Sequence, residues 1–198
     1  MAGSTSTFAL IDHARRVATM RALLASGELG IDALVVTDLT DVRWLTGFTG
    51  SNGWVVMRSD RSVLGTDTRY GERAAAETER SGVEIVALQN RSDLHRALVD
   101  AACPGEVGLD ARSVTHAQWR QLATDLTLAS IDSPIGTARE VKDDAEIQRI
   151  AAAAAAADAA LAEVEPLLFA TIDDPVTEAD IRDELEHRMR RHGADDRS

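Results

Sequence analysis

A single cysteine, Cys103, stands among 198 residues, so no intramolecular disulfide can form, which fits a reducing compartment. No apolar run approaches the roughly 20 residues that span a bilayer. The N-terminus, Met1-Ala-Gly-Ser-Thr-Ser-Thr7, lacks the basic and apolar regions of a secretory signal. The expected location is the cytoplasm, with no membrane partner. The net charge is −12 and no basic patch is present, so a nucleic-acid partner is disfavoured.

Metal motifs are also missing. His13, His95, His116, His187 and His192 form no His-Glu-x-x-His and no Cys/His cluster. His187 and His192 lie five apart, about 140° around a helix axis, and do not easily share an ion. The acidic pairs Asp143-Asp144, Asp173-Asp174 and Asp195-Asp196 read as helix-dipole partners or solvated charges. Cys103 precedes Pro104 without a base partner and reads as structural. No Gly-x-Ser-x-Gly elbow occurs.

What is there is a regular alternation of patterns. Residues 8–26 read as a helix, with Leu10, Ala14, Val17, Met20 and Leu24 on one face and Arg15, Arg16 and Arg21 mainly on the others. Residues 33–37 form a short apolar run, as in a buried strand. A helical turn is expected at 41–45. Two strands, 54–58 and 62–66, flank the turn Ser59-Asp-Arg61. Further helices are expected at 69–80, 93–102 and 115–123, and strands at 83–88, 106–110 and 127–131. This pattern predicts an α/β fold with a mixed sheet flanked by helices.

After Ser133-Pro134 the character changes. Residues 143–164 predict one long helix with an apolar line through Ile147, Ile150, Ala154, Leu161 and Val164. Seven alanines at 151–157 give strong helix propensity and a thin face that allows close packing. Thr177-Glu-Ala-Asp180 opens a last helix with a loose capping box, and Ile181, Leu185 and Met189 form its stripe. The expected domains are 1–135 and 136–198, and residues 8–133 should fold independently.

Two segments attract functional attention. Gly47-x-x-Gly50-x-x-Gly53 lacks a P-loop ending, and a strand follows it, so tight turning is the better reading. Asp67-Thr-Arg-Tyr70 joins a strand to a helix, a frequent place for functional side chains. Equally, Asp67 can cap the helix while Arg69 pairs with a nearby acid.

Four ordered segments together resemble the creatinase/prolidase family, which includes Xaa-Pro aminopeptidases. Asp41-Val-Arg-Trp-Leu-Thr-Gly-Phe-Thr-Gly-Ser51 is similar to that family's N-x-R-Y-L-T-G-F-x-G-S, with Asp41 for Asn and Trp44 for Tyr. Thr66-Asp-Thr-Arg-Tyr70 is similar to T-D-x-R-Y. Arg139-Glu-Val-Lys-Asp143 with Glu146-Ile147 resembles R-x-x-K-x-x-x-E-I. Thr177-Glu and Met189-Arg-Arg-His-Gly-Ala194 resemble the T-E…M-R…G-A helix before the first catalytic strand.

The resemblance implies a creatinase/prolidase-type N-terminal domain followed by the linker and first helices of a pita-bread metallopeptidase domain. In the full-length family, two divalent metal ions (Mn, Co or Zn) sit on Asp, Asp, His, Glu and Glu and hydrolyse the peptide bond before proline. Those ligands lie downstream of the helix corresponding to 177–192, so this chain is expected to hold no metal ligand or catalytic residue and to be inactive alone. The resemblance further implies a homo-oligomer formed through the N-terminal domain, a proline-containing peptide as substrate, and Phe48, Asp67, Arg69 and Tyr70 walling a partner's active site. Arg69 would hold a substrate carboxylate or an acidic wall residue bidentately. The alternatives are a stand-alone binding or dimerisation module, part of a prolidase or creatinase-like hydrolase, and an unrelated α/β domain.

Overall fold

A computed structural model describes residues 8–102, 105–169 and 176–194. The chain divides into two compact units, residues 12–141 and residues 1–11 with 142–198.

In the larger unit the elements run α1 (His13–Ser26), β1 (Ala33–Val36), α2 (Leu39–Thr46), β2 (Gly53–Arg58), β3 (Ser62–Asp67), a 3-10 turn (Thr68–Tyr70), α3 (Gly71–Thr78), β4 (Glu84–Leu88), α4 (Arg91–Ala102), β5 (Glu106–Leu109), α5 (His116–Leu122), β6 (Thr127–Ser130) and α6 (Pro134–Glu140). The strands form one sheet in the order β4-β3-β2-β1-β5-β6. β2 is antiparallel to both neighbours, pairing Val35 with Val56 and Trp54 with Gly65, and every other pairing is parallel. The carboxyl ends of five strands therefore share one edge. The mixed sheet expected from the sequence is present.

Strand side chains alternate between two cores. On one face Leu34, Val36, Val55, Met57 and Leu64 pack with Val17, Met20 and Leu24 of α1, Val42 and Leu45 of α2, Ala74 of α3 and Ile135 of α6. On the other, Val35, Val56, Val63, Val107 and Leu109 pack with Leu98, Ala101 and Ala102 of α4 and Leu122 of α5. The result is three layers, with helices on both faces of the sheet.

Local chemistry sets the boundaries. α1 begins at His13 rather than at residue 8, because Asp12 caps it and accepts from the Arg15 amide at 2.9 Å. Leu10 and Ala14, expected on its apolar face, are exposed. Arg16, expected on a polar face, is 5% exposed. Its guanidinium lies 4.3 Å from the Trp44 ring centroid and donates to the Trp44 carbonyl at 2.8 Å. α4 starts two residues earlier than expected, with the Asn90 side chain accepting from the Asp93 amide at 2.8 Å. The chain was not expected to be helical at 134–140. There Ser133 caps α6, Pro134 opens it, and Ile135 is fully buried.

Two of the family-like segments meet in this unit. Asp41 of α2 takes a 2.6 Å ion pair from Arg139 of α6. The residue that departs from the usual Asn thus gains a cationic partner.

The smaller unit contains α7 (Asp144–Val164), a 3-10 segment (Glu165–Phe169) and α8 (Glu178–Arg191). Reciprocal capping starts both helices, Asp143 with Glu146 and Thr177 with Asp180. α7 and α8 pack together, and Glu163 takes 2.7 Å from His192 and a short ion pair from Arg188. The buried line on α7 is Ala145, Ala156, Ala160 and Val164. Of the line expected from the sequence only Val164 is buried; Ile147, Ile150 and Leu161 are each more than half exposed. α8 has no buried residue.

Candidate functional site

The site lies at the edge formed by the carboxyl ends of the parallel strands, where open α/β sheets usually bind ligands. All of its parts belong to the larger unit. The segment Gly47–Gly53 supplies one wall, and the β3 terminus with its 3-10 turn supplies the next.

Glycine spacing in the first wall is set by Phe48. Gly47 ends α2 in the left-handed region at φ 85°. Gly50 and Gly53 have no such backbone need; a Cβ at Gly50 would come within 2.2 Å of the Phe48 ring, and one at Gly53 within 2.9 Å. Phe48 was expected to face a cleft. It is instead 1% exposed, in the core with α1 and α2, and meets Tyr70 edge-on with centroids 6.0 Å apart. It supports Tyr70 from below.

The Asp67 carboxylate receives four donors: the Arg69 amide at 3.1 Å, Arg69 Nε at 2.8 Å, Arg69 Nη2 at 2.9 Å and Asn52 Nδ2 at 2.8 Å. These bonds, led by those from the Arg69 side chain and then Asn52, hold its pKa well below the usual carboxylate range. So bound, Asp67 is a fixed anion and not a general base. The geometry combines both readings of this motif: Asp67 caps the turn, and Arg69 finds its acid two residues away. Because Nε and Nη2 are engaged there, the bidentate edge of Arg69 is turned to Asp67 and only its outer edge is open, on a side chain 74% exposed. Tyr70 Oη is 2.7 Å from Ser51 Oγ, a bond that lowers the phenol's pKa, and the Arg69 guanidinium lies 5.5 Å from the Tyr70 ring. Asp67, Arg69 and Tyr70 therefore form one ordered group, tied by Asn52 and Ser51 to the glycine segment.

A second clasp of the same form went unnoticed in the sequence. At the end of β5, Asp110 accepts from the Arg112 amide at 2.9 Å, Nε at 3.0 Å and Nη2 at 2.9 Å. Its carboxyl is also held low, first by the Arg112 side chain. The readable signal was Asp-x-Arg after an apolar strand, present at both 67–69 and 110–112.

Above the sheet's second face, between α4 and α5, a cleft of about 730 Å³ opens beside this group. Its lining includes Thr37, Asn52, Trp54, Asp67, Arg69, Gln89, Leu94, His95, Leu98, Gln118, Gln121 and Leu122. The Trp54 indole occupies the space that a side chain at position 65 would take; a Cβ there would lie 2.0 Å from the ring, so glycine is required.

Among the described residues no cluster of three or more His, Cys, Asp or Glu could hold a metal ion. His13 Nδ1 lies 3.0 Å from the Trp44 carbonyl oxygen, and burial lowers its pKa. His95 pairs with Asp125 at 2.9 Å and His192 with Glu163, while His116 and His187 are exposed. Cys103, Asp173-Asp174 and Asp195-Asp196 lie outside the described residues. No described helix is long and apolar enough to cross a membrane.

These features define a three-layer α/β domain with a mixed six-stranded sheet and a polar junction after its third strand. Residues 16–141 match the Creatinase/Prolidase N-terminal domain, and the chain belongs to this family. It is 32% identical over 180 residues to the uncharacterized peptidase YqhT of Bacillus subtilis (strain 168), covering 87% of this chain and 48% of that protein. It is similar in structure to the Xaa-Pro dipeptidase from Bacillus anthracis, with TM-score 0.76, 26% identity, and coverage of 93% and 50% of the two chains. It is also similar to the N-terminal domain (creatinase/prolidase like) of a metallopeptidase from Corynebacterium diphtheriae, with TM-score 0.53, 28% identity, and coverage of 61% and 97%. The chain spans about half the length of the first two of these relatives.

Proposed function

We propose that this chain is the N-terminal part of a Xaa-Pro peptidase of the creatinase/prolidase family, acting in dimerisation and as a wall of a partner subunit's active site. The carrying observation is the family match over residues 16–141. The polar group beside the cleft supports the site assignment. Arg69 is held rigidly by Asp67 and leaves its outer edge exposed, which suits a single contact to a peptide carbonyl or carboxylate. Tyr70, braced by Phe48 and Ser51, would supply an aromatic flank.

Residues 136–198 then comprise the linker and first helices of the metallopeptidase domain. Hydrolysis of the bond before proline by a dinuclear metal centre is the reaction of the whole enzyme, in the cytoplasm; this chain alone does not catalyse it.

The test uses purified chain from a host lacking such a peptidase, incubated with Mn²⁺ or Co²⁺ and an Xaa-Pro peptide. No turnover is expected; turnover that follows the chain through successive purification steps overturns the proposal. Sedimentation should show a dimer, and a monomer at every concentration removes the dimerisation role.

A further inference from the structure

We infer that the cleft between α4 and α5 is a binding site for an uncharged planar N-heterocycle of the purine nucleoside type. The volume, about 730 Å³, lies within the range of small-molecule sites. Its floor is Trp54, laid over Gly65 so that no side chain lifts the indole from the sheet. Leu94 and Leu98 of α4 add an apolar wall. A flat aromatic platform with apolar edges is what a ring ligand stacks on.

The polar groups choose the ligand class. Gln89, just after β4, and Gln121, on α5, both line the cleft; they are exposed, and neither carboxamide has a hydrogen-bond partner among the described residues. Each offers a donor and an acceptor side by side, the pairing that matches adjacent donor and acceptor edges of a purine. Asp67 takes the bidentate edge of Arg69, and His95 faces Asp125. The −12 chain disfavours a multiply charged anion. The nucleoside therefore fits better than its phosphate.

Trp54 supplies the readout. Adenosine is titrated into the intact chain while tryptophan fluorescence is followed. A saturable quench with Kd of about 1 mM or tighter is expected. Trp54→Phe should abolish the signal. The double variant Gln89→Ala/Gln121→Ala changes two exposed side chains, folds as the parent does by circular dichroism, and should bind about tenfold more weakly. Adenosine monophosphate should bind more weakly than adenosine. Lack of saturation, a quench that persists in Trp54→Phe, unchanged affinity in the double variant, or monophosphate binding as tight as adenosine would each overturn the assignment.

Discussion

Substituting Gly50 by alanine should destabilise the protein in one background and not in another. With Phe48 present, the new Cβ would lie 2.2 Å from the ring's Cζ. The ring cannot swing away, because Phe48 is 1% exposed and surrounded by the core of α1, α2 and the sheet. Overpacking of this kind costs about 1–3 kcal/mol. Phe48→Ala alone removes a large buried side chain and should cost about 3–5 kcal/mol. In that background the clash is gone. Gly50 is not in the left-handed region, so alanine there should now stabilise by about 0.4–1 kcal/mol, through the loss of unfolded-chain freedom. The substitution thus changes sign. At about 2.1 cal/mol/K of unfolding entropy per residue, a unit spanning 12–141 shifts its Tm by about 4 °C per kcal/mol. Gly50→Ala should lower Tm by about 4–12 °C in the parent, and raise it by about 1–4 °C beside Phe48→Ala. Calorimetry of the four proteins in this double-mutant cycle measures both. Additive effects would refute the steric account and return the glycine to a purely conformational role.

Asp67 and Asp110 have lowered folded-state pKa values, so each is charged where the unfolded chain takes a proton. The stabilisation is therefore full above the ordinary 3.8 and is lost as pH falls below it. Urea unfolding should show the penalties of Asp67→Asn and Asp110→Asn shrinking between about pH 5 and 2, and penalties constant with pH contradict the assignment. The Ser62 hydroxyl is buried with no hydrogen-bond partner, so Ser62→Ala should be neutral or stabilise by about 1 kcal/mol in the same assay; a comparable loss would show that the hydroxyl is satisfied. In the smaller unit α8 buries no residue, and Ile147, Ile150 and Leu161 are exposed. Amides of residues 147–164 and 181–189 should exchange with solvent faster than those of 33–36 and 54–58, and equal protection in a monomeric sample rules that out.

Much of the fold was legible because each strand is short, apolar and bounded by a turn signal. The antiparallel hairpin at 59–61 followed from spacing alone, and the cap at Thr177 from residue type. The failures have specific causes. Period-3.6 reading extended α1 back to residue 8, since periodicity does not register that Asp12 ends the pattern by accepting the Arg15 amide. Ser133-Pro134 is a good start for a helix as well as a good boundary, and only the burial of Ile135 decides between them. On α7 the isoleucine and leucine line looked like the packing face, but the alanine line is the buried one. Hydrophobicity ranks side chains by transfer energy, whereas helix contact also depends on how closely the backbones approach.

The candidate site was less legible, for a related reason. A sequence motif shows which residues travel together but not which way each one faces. Phe48 and Arg69 belong to neighbouring motifs, yet one is sealed in the core and the other is 74% exposed. Their roles are complementary: Phe48 props Tyr70, while Asp67 absorbs the bidentate edge of Arg69 and fixes its direction. The same construction recurs at Asp110 and Arg112. Both clasps follow parallel strands, where the chain must turn off the sheet edge and exposes amides with no strand partner. An aspartate there accepts the amide two residues on, and an arginine at that position neutralises it. Asp-x-Arg is thus first a solution to leaving a parallel strand. A functional role for Arg69 must therefore rest on what distinguishes it from Arg112, namely the Tyr70 ring, Asn52 and the Trp54 cleft beside it.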